Sequence, residues 1–149
     1  MAKPDSSAID AALVAWLQAD AALSALLPDG VWIDEAGEGS TRFAIVALLD
    51  EHDVPVFGGR AYEDTLFVVK AVMLSTAGGD IQAAAARIDE LLDDQPLTVA
   101  GYGWMTMHRE ARMRLTEVDD VNAAIRWHHR GGHYRVQMAL NGANERATV

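Results

Sequence analysis

The sequence contains no cysteine among its 149 residues. Disulfide bridges, cysteine-ligated metals and thiol nucleophiles are therefore excluded. Apolar residues make up 50% of the chain, yet no run reaches the roughly 18 residues that a membrane-spanning helix needs. The first eight residues hold one lysine and no apolar block, so we expect neither a secretory signal nor a membrane role.

Basic residues are scarce and unevenly distributed. The chain has 12 Lys and Arg against 22 Asp and Glu, which gives a net charge of −10. Residues 1–100 contain 17 acids and 5 bases (−12), whereas residues 101–149 contain 5 acids and 7 bases (+2). Because nucleic-acid binding depends on neutralising phosphates with Lys and Arg, the overall balance argues against a DNA-binding protein. The uneven distribution of charge instead indicates how two copies of the chain, or the chain and a partner, would contact each other.

The apolar pattern predicts one α+β domain over residues 1–149. Helical spacing predicts a helix around residues 9–17, a short helix over 21–27 capped by Asp20, and a longer helix from Asp80 to Asp94. Strand patterns cover 31–33, 43–49, 62–74, 104–116 and 134–140. Both faces of residues 62–74 are largely apolar, so this strand is expected to be central. Alternation in residues 104–116 places Arg112 and Arg114 on a polar face and Arg109 on the opposite, apolar face. This order predicts a mostly antiparallel sheet of about four to five strands with two main helices on one face. Residues 1–6 and 141–149 are expected to be flexible, and residues 116–127 have no clear pattern.

Candidate chemical groups are present but do not assemble into a reaction centre. His129 and His133 have a spacing that would pair them on a metal only in a helix, and Gly131-Gly132 between them argues against one. Adjacent acids such as Asp93-Asp94 point to different faces, so spacing alone makes no acid–base pair. The glycine-containing stretches match no phosphate loop or dinucleotide fingerprint and are interpreted as turns. We therefore expect no catalytic residue, no cofactor, no metal and no enzymatic activity.

Two segments have the character of interaction surfaces. Residues 50–61 form a predicted connection that is long for a compact domain and carries Val54, Val56 and Phe57, so they either face a partner or fold back onto the core. The late part of the chain carries arginines that could meet a neighbouring copy, bind an acidic ligand or nucleic acid, or simply be solvated. These arginines are Arg112, Arg114, Arg126, Arg130 and Arg135.

The order of the segments resembles a broad family of phage tail-completion proteins. The resemblance begins with residues 8–27, which contain Leu17-Gln18-Ala19-Asp20-Ala21-Ala22-Leu23-Ser24-Ala25-Leu26-Leu27. It continues through an apolar strand, a loop, a long strand, the helix of residues 80–94 and the segment Leu97-Thr98-Val99-Ala100-Gly101. The Arg-rich strand of residues 109–114 and the final strand of residues 134–140 complete it. Residues 116–127 are longer than expected for the family.

The resemblance implies a structural virion protein rather than an enzyme. It implies a tail terminator that closes into a ring of six subunits, caps the head-proximal end of the tail tube and stops the growth of the tube. Its partners would be other copies of the chain, the tail-tube protein and a head-closure or connector protein. DNA would pass through the ring without specific binding. The expected location is the head–tail junction of the virion, after assembly in the host cytoplasm.

Other functions compatible with the sequence are a different neck component, such as a head-closure or connector protein, and a small ligand-binding α+β domain. For the ring, we expect the late arginines of one subunit to meet acids of its neighbour, while the loop of residues 50–61 contacts a subunit or the tube. The candidate interface residues are Val54, Val56, Phe57, Arg60, Arg112, Arg114, Arg135, Asp50, Glu51, Asp53, Glu63 and Asp64.

Overall fold

Five strands form one sheet in the spatial order β1-β2-β3-β5-β4 in the computed structural model, which describes residues 6–56 and 59–140. β1 runs parallel to β2, and the other neighbouring pairs are antiparallel. The predicted α+β class is therefore confirmed. The strands are β1 (Val31–Ile33), β2 (Arg42–Val56), β3 (Gly59–Leu74), β4 (Tyr102–Val118) and β5 (Arg126–Leu140).

Three helices cover one side of this sheet, which we call the helix face; the other side is the open face. They are α1 (Ser6–Gln18), α2 (Ala21–Leu26) and α3 (Ile81–Leu92). The carboxylates of Asp20 and Asp80 accept hydrogen bonds from Leu23 N and Ala83 N and so cap α2 and α3, as predicted. Side chains from all three helices share a core with the helix face of the sheet; fully buried examples are Ile9, Leu13, Leu23, Ile88, Phe67 and Val69.

The predicted connection of residues 50–61 is wrong over most of its length. β2 continues to Val56 and β3 begins at Gly59, so these residues form a long hairpin. Beyond the pair of Glu63 with Met138, the described pairings of this hairpin involve β2 and β3 alone. Pro55 and Gly59, residue types that favour turns, lie within the paired strands. We call residues 50–66 the arm.

The glycine pair at 131–132 does not form the predicted turn but lies inside β5, which begins at Arg126. At Gly131, β5 approaches β3 so closely that a Cβ atom would lie 2.1 Å from the carbonyl oxygen of Val69. A residue with a side chain would therefore force the two backbones apart. Residues 116–127, which had no clear sequence pattern, belong partly to β4 and β5. β4 ends at Val118 and β5 begins at Arg126, so the connection between them spans residues 119–125.

A β-bulge between Arg109 and Ala111 changes which residues of β4 face the helices. On its N-terminal side, Arg109 lies opposite the buried Tyr134 on the helix face. Past the extra residue, the register places Arg112 opposite Gly132 and Arg114 opposite Arg130, which are also on the helix face. Simple alternation had predicted Arg112 and Arg114 on the side opposite Arg109, and this prediction is wrong because a bulge resets the alternation.

Candidate functional site

A groove of about 620 Å³ runs between α3 and the exposed end of β4 and β5. Small side chains of α3, Ala85 and Ala86, form one wall of the groove, and Gly131 contributes to its floor. Arginines line the opposite wall; they are Arg109, Arg112, Arg114 and Arg130. The bulge in β4 brings Arg109, Arg112 and Arg114 to the same side of the sheet, so the groove is more basic than the sequence pattern predicted.

The carboxylates beside the groove are already paired within the chain. Asp89 accepts hydrogen bonds from Arg109 Nη1 at 2.5 Å and from the Tyr134 hydroxyl at 2.9 Å. Glu90 accepts one from Arg87 Nη1 at 2.8 Å. Burial, together with the hydrogen bond to Asp89, raises the pKa of Tyr134, so its hydroxyl keeps the proton that it donates.

The remaining three arginines of the groove form no ion pair with any residue in the described part of the chain. Arg112 and Arg114 are exposed, and Arg130 is half-buried. Four arginines and two carboxylates, Asp89 and Glu90, line the groove, so its local charge is positive. A planar guanidinium binds carboxylate or phosphate oxygens through two parallel hydrogen bonds, which makes this groove suited to an anionic partner.

Arg135 lies on the open face and is engaged within its own chain. Its Nη1 donates to Asp64 Oδ1 at 2.7 Å, and its Nε donates to Glu110 Oε1 at 2.6 Å. The hydrogen bond from Arg135 lowers the pKa of Glu110. Asp64 is buried, so losing Arg135 would leave a buried carboxylate without its principal cation. The structure therefore gives Arg135 and Asp64 a role in the fold; an additional contact with a neighbour stays a prediction.

The predicted acids of the arm fall into two groups. Asp50, Glu51 and Asp53 are exposed, whereas Glu63 is buried and accepts a hydrogen bond from the Tyr102 hydroxyl. Of the predicted apolar residues, Val54 is half-buried in β2. Val56 and Arg60 lie in β2 and β3 by their backbone, and Phe57 lies outside the described residues. The structure thus brings together the exposed acids but not the whole predicted set.

The open face carries a shallow depression of about 280 Å³ near Trp127. Phe43, Ile45 and Val72 form a small apolar cluster there, and the ring of Trp127 lies 6.1 Å from that of Phe43, centroid to centroid. Lys70 and His129 border the depression, and burial lowers the pKa of both side chains. Its volume is slightly below the usual range of pockets for small organic ligands.

The two histidines of the predicted metal alternative lie four residues apart in β5. At the rise of an extended strand, this spacing separates their backbones by about 13 Å, which is too far for shared coordination. His129 Nε2 lies 3.2 Å from Glu117 Oε1. Among residues 6–56 and 59–140, no group of three or more His, Asp or Glu side chains has a geometry that could hold a metal ion.

Comparisons with known proteins identify structural neighbours without placing the chain in a sequence family. No family model and no curated protein matches the sequence. A chain from the virion of a native gene transfer agent particle aligns with a TM-score of 0.65 and 23% identity, covering 90% of this chain and 96% of that chain. A second solved structure, which bears no functional name, aligns with a TM-score of 0.59 and 14% identity over 91% of this chain and 96% of the other. Both share the fold. No helix in the described part of the chain is long and apolar enough to cross a membrane.

Proposed function

We propose that this chain is a structural protein of a phage-like virion. The observation that carries the proposal is the similarity of its fold to a chain of a gene transfer agent virion, which extends over nearly the full length of both chains. The order of segments from residue 8 to residue 140, which resembles phage tail-completion proteins, supports it independently. Its place is in the particle, and its partners are other virion proteins.

Within the virion, we propose the role of tail terminator. Copies of the chain close into a ring, of six subunits by the resemblance, on the last ring of tube protein, and the ring stops tube growth and joins the tail to the head connector. The arm suits this role because a ribbon of paired strands can reach a neighbouring subunit or the tube while the domain stays folded. The net charge of −10 suits a conduit in which DNA slides without binding.

An enzymatic function has little support in the described residues. The two best-defined ionic clusters, Asp89 with Arg109 and Arg135 with Asp64, are fully engaged in holding strands and helix together. No serine, threonine or cysteine nucleophile lies among the residues that line the groove or the depression. We therefore propose that the chain acts by binding and assembly.

Native mass spectrometry of the purified protein, alone and mixed with the tail-tube protein of the same particle, tests the proposal. We expect a closed ring of a single stoichiometry to form, at the latest on addition of tube protein. Electron microscopy should then show one ring at one end of each tube, and tubes should stop elongating. A protein that binds the isolated connector but never the tube end would instead be a head-closure component.

A further inference from the structure

We propose that the arginine groove is the socket for the arm of a second copy of this chain. Arg112, Arg114 and Arg130 of one subunit would receive the exposed carboxylates Glu51 and Asp53 of the next. This inference deepens the proposed function, because it rests on self-assembly of the chain and names the two surfaces that meet.

Charge complementarity supports this pairing. The groove holds three guanidinium groups without an ion-pair partner among the described residues, while Asp89 and Glu90 of α3 already form ion pairs within the chain. The arm presents exposed acids on β2, in the part of the chain that carries a charge of −12. Two unlike patches of one subunit then meet in a heterologous contact, which is the kind that closes a ring when the rotation permits.

The shapes are also compatible. The groove lies where α3 leaves the end of β4 and β5 uncovered, and its walls combine Ala85, Ala86 and Met113 with the arginines. Glu51 and Asp53 are two residues apart in β2 with no register shift between them, so both carboxylates leave the same side of the arm. Arg112 and Arg114 have the same spacing in β4, so two carboxylates can meet two guanidinium groups at once and form bidentate pairs.

Complementary charge reversal tests the pairing. The groove variant is Arg112→Glu with Arg114→Glu, and the arm variant is Glu51→Arg with Asp53→Arg. Each variant alone should assemble at least tenfold more weakly than the unaltered protein in sedimentation velocity at low salt. An equal mixture should recover assembly, because acidic arms meet basic grooves and basic arms meet acidic grooves in an alternating ring. A defect in folding would not be rescued by mixing.

Matched controls use charges outside the two surfaces. Arg126→Glu reverses an exposed arginine away from the groove, and Glu35→Arg with Glu38→Arg reverses two exposed acids away from the arm. These variants should assemble like the unaltered protein. Assembly by the groove and arm variants at the level of the controls, or a mixture that fails to recover, would overturn the proposal.

The absence of cysteine allows a second measurement that detects weak association. Glu51→Cys in one preparation and Arg114→Cys in another should give a mixed disulfide dimer under mild oxidation, visible by mass spectrometry. Glu38→Cys with Arg126→Cys is the control and should give far less. No excess of the first dimer over the second would contradict the contact. Loss of affinity for a short DNA duplex in the groove variant, with assembly unchanged, would mean that the groove binds phosphate and would also overturn it.

The two proposals fail in different ways. If charge reversal controls assembly but the assembled ring never caps tail tubes, the groove and arm form the subunit contact and the tail-terminator role is wrong. If the protein caps tubes and the groove and arm variants cap them equally well, the terminator role stands and this contact is wrong.

Discussion

Arg135 joins two carboxylates on the open face of the sheet. It bonds Glu110, the residue at the bulge of β4, and Asp64 on β3, so one side chain connects three strands. Because Asp64 is buried, the interaction matters more than a surface ion pair. Sequence patterning had grouped Arg135 with Arg112 and Arg114 as an interface residue, yet their surroundings differ: one is engaged, and two have no ion-pair partner among the described residues.

Replacing Arg135 by alanine should therefore lower the free energy of unfolding by about 2–3 kcal/mol, because it leaves a buried carboxylate poorly compensated. Arg112→Ala, at an exposed position, should change it by less than about 0.5 kcal/mol. Urea denaturation followed by circular dichroism measures both. The arginine lowers the pKa of Glu110, so this part of the stability is present above the ordinary carboxyl pKa and is lost as pH falls through the lowered value. Equal effects of the two replacements would show that Arg135 is not structural.

The arm extends the pairing of β2 and β3 beyond the last described pair of β3 with β5. β2 and β3 pair over their whole described length, with register shifts between Leu48 and Asp50 and between Val54 and Pro55. Such irregularities increase the local twist and can redirect a ribbon away from the sheet. Beyond Glu63 the described pairings of the arm involve β2 and β3 alone, and we propose that an intermolecular contact explains the length of this part.

Deleting residues 54–59 should leave the domain folded and disturb assembly. The deletion joins Asp53 to Arg60 and leaves a three-residue connection before Glu63, the last arm residue of β3 with a described partner on β5. We expect the melting temperature to fall by only a few degrees, while tails in electron micrographs become irregular in length. Val121→Ser, at an exposed tip of another hairpin, is the control and should preserve tail length. Tails of normal length after the deletion would exclude a role for the arm.

At the scale of the whole molecule, acidic and basic side chains are separated along the sequence and also in the folded structure. The basic groove lies beside β4 at one edge of the sheet, and the exposed acids of the arm lie on β2. Individual exposed ion pairs contribute only about 0–1 kcal/mol, so charge would set the register and orientation of neighbouring subunits while apolar contacts supply most of the affinity.

The assembled ring should therefore weaken partially at high salt without dissociating completely. At 1 M salt the Debye length is about 3 Å, so exposed pairs between groove and arm are screened while apolar contacts persist. Sedimentation velocity in about 0.05 to about 1 M NaCl measures how far the ring dissociates. Screening of exposed charges changes most over this range of ionic strength. Complete dissociation at 1 M would indicate that charge alone holds the ring, and no change would indicate that the groove is solvated.

By itself, the sequence determined the class of fold, the capped helices and the central position of β3, because periodicity reports which side of an element is buried. It also determined the lack of thiol chemistry and the charge asymmetry. The resemblance in segment order led to the tail-completion proposal, for which structural comparison then supplied a neighbour with the same fold.

The tertiary structure alone decided which arginines are available. A bulge shifts alternation by one residue, and no local pattern in Arg109–Arg114 signals it, so Arg112 and Arg114 were assigned to the wrong side. Gly131-Gly132 suggested a turn because glycine favours turns, whereas close approach of β5 to Val69 requires glycine inside a strand. Asp64 and Glu63 have the composition of surface residues, and their burial depends on Arg135 and Tyr102, which lie far from them in the chain. Pairing between distant segments is a property of the folded chain, so it cannot be inferred from the order of residues.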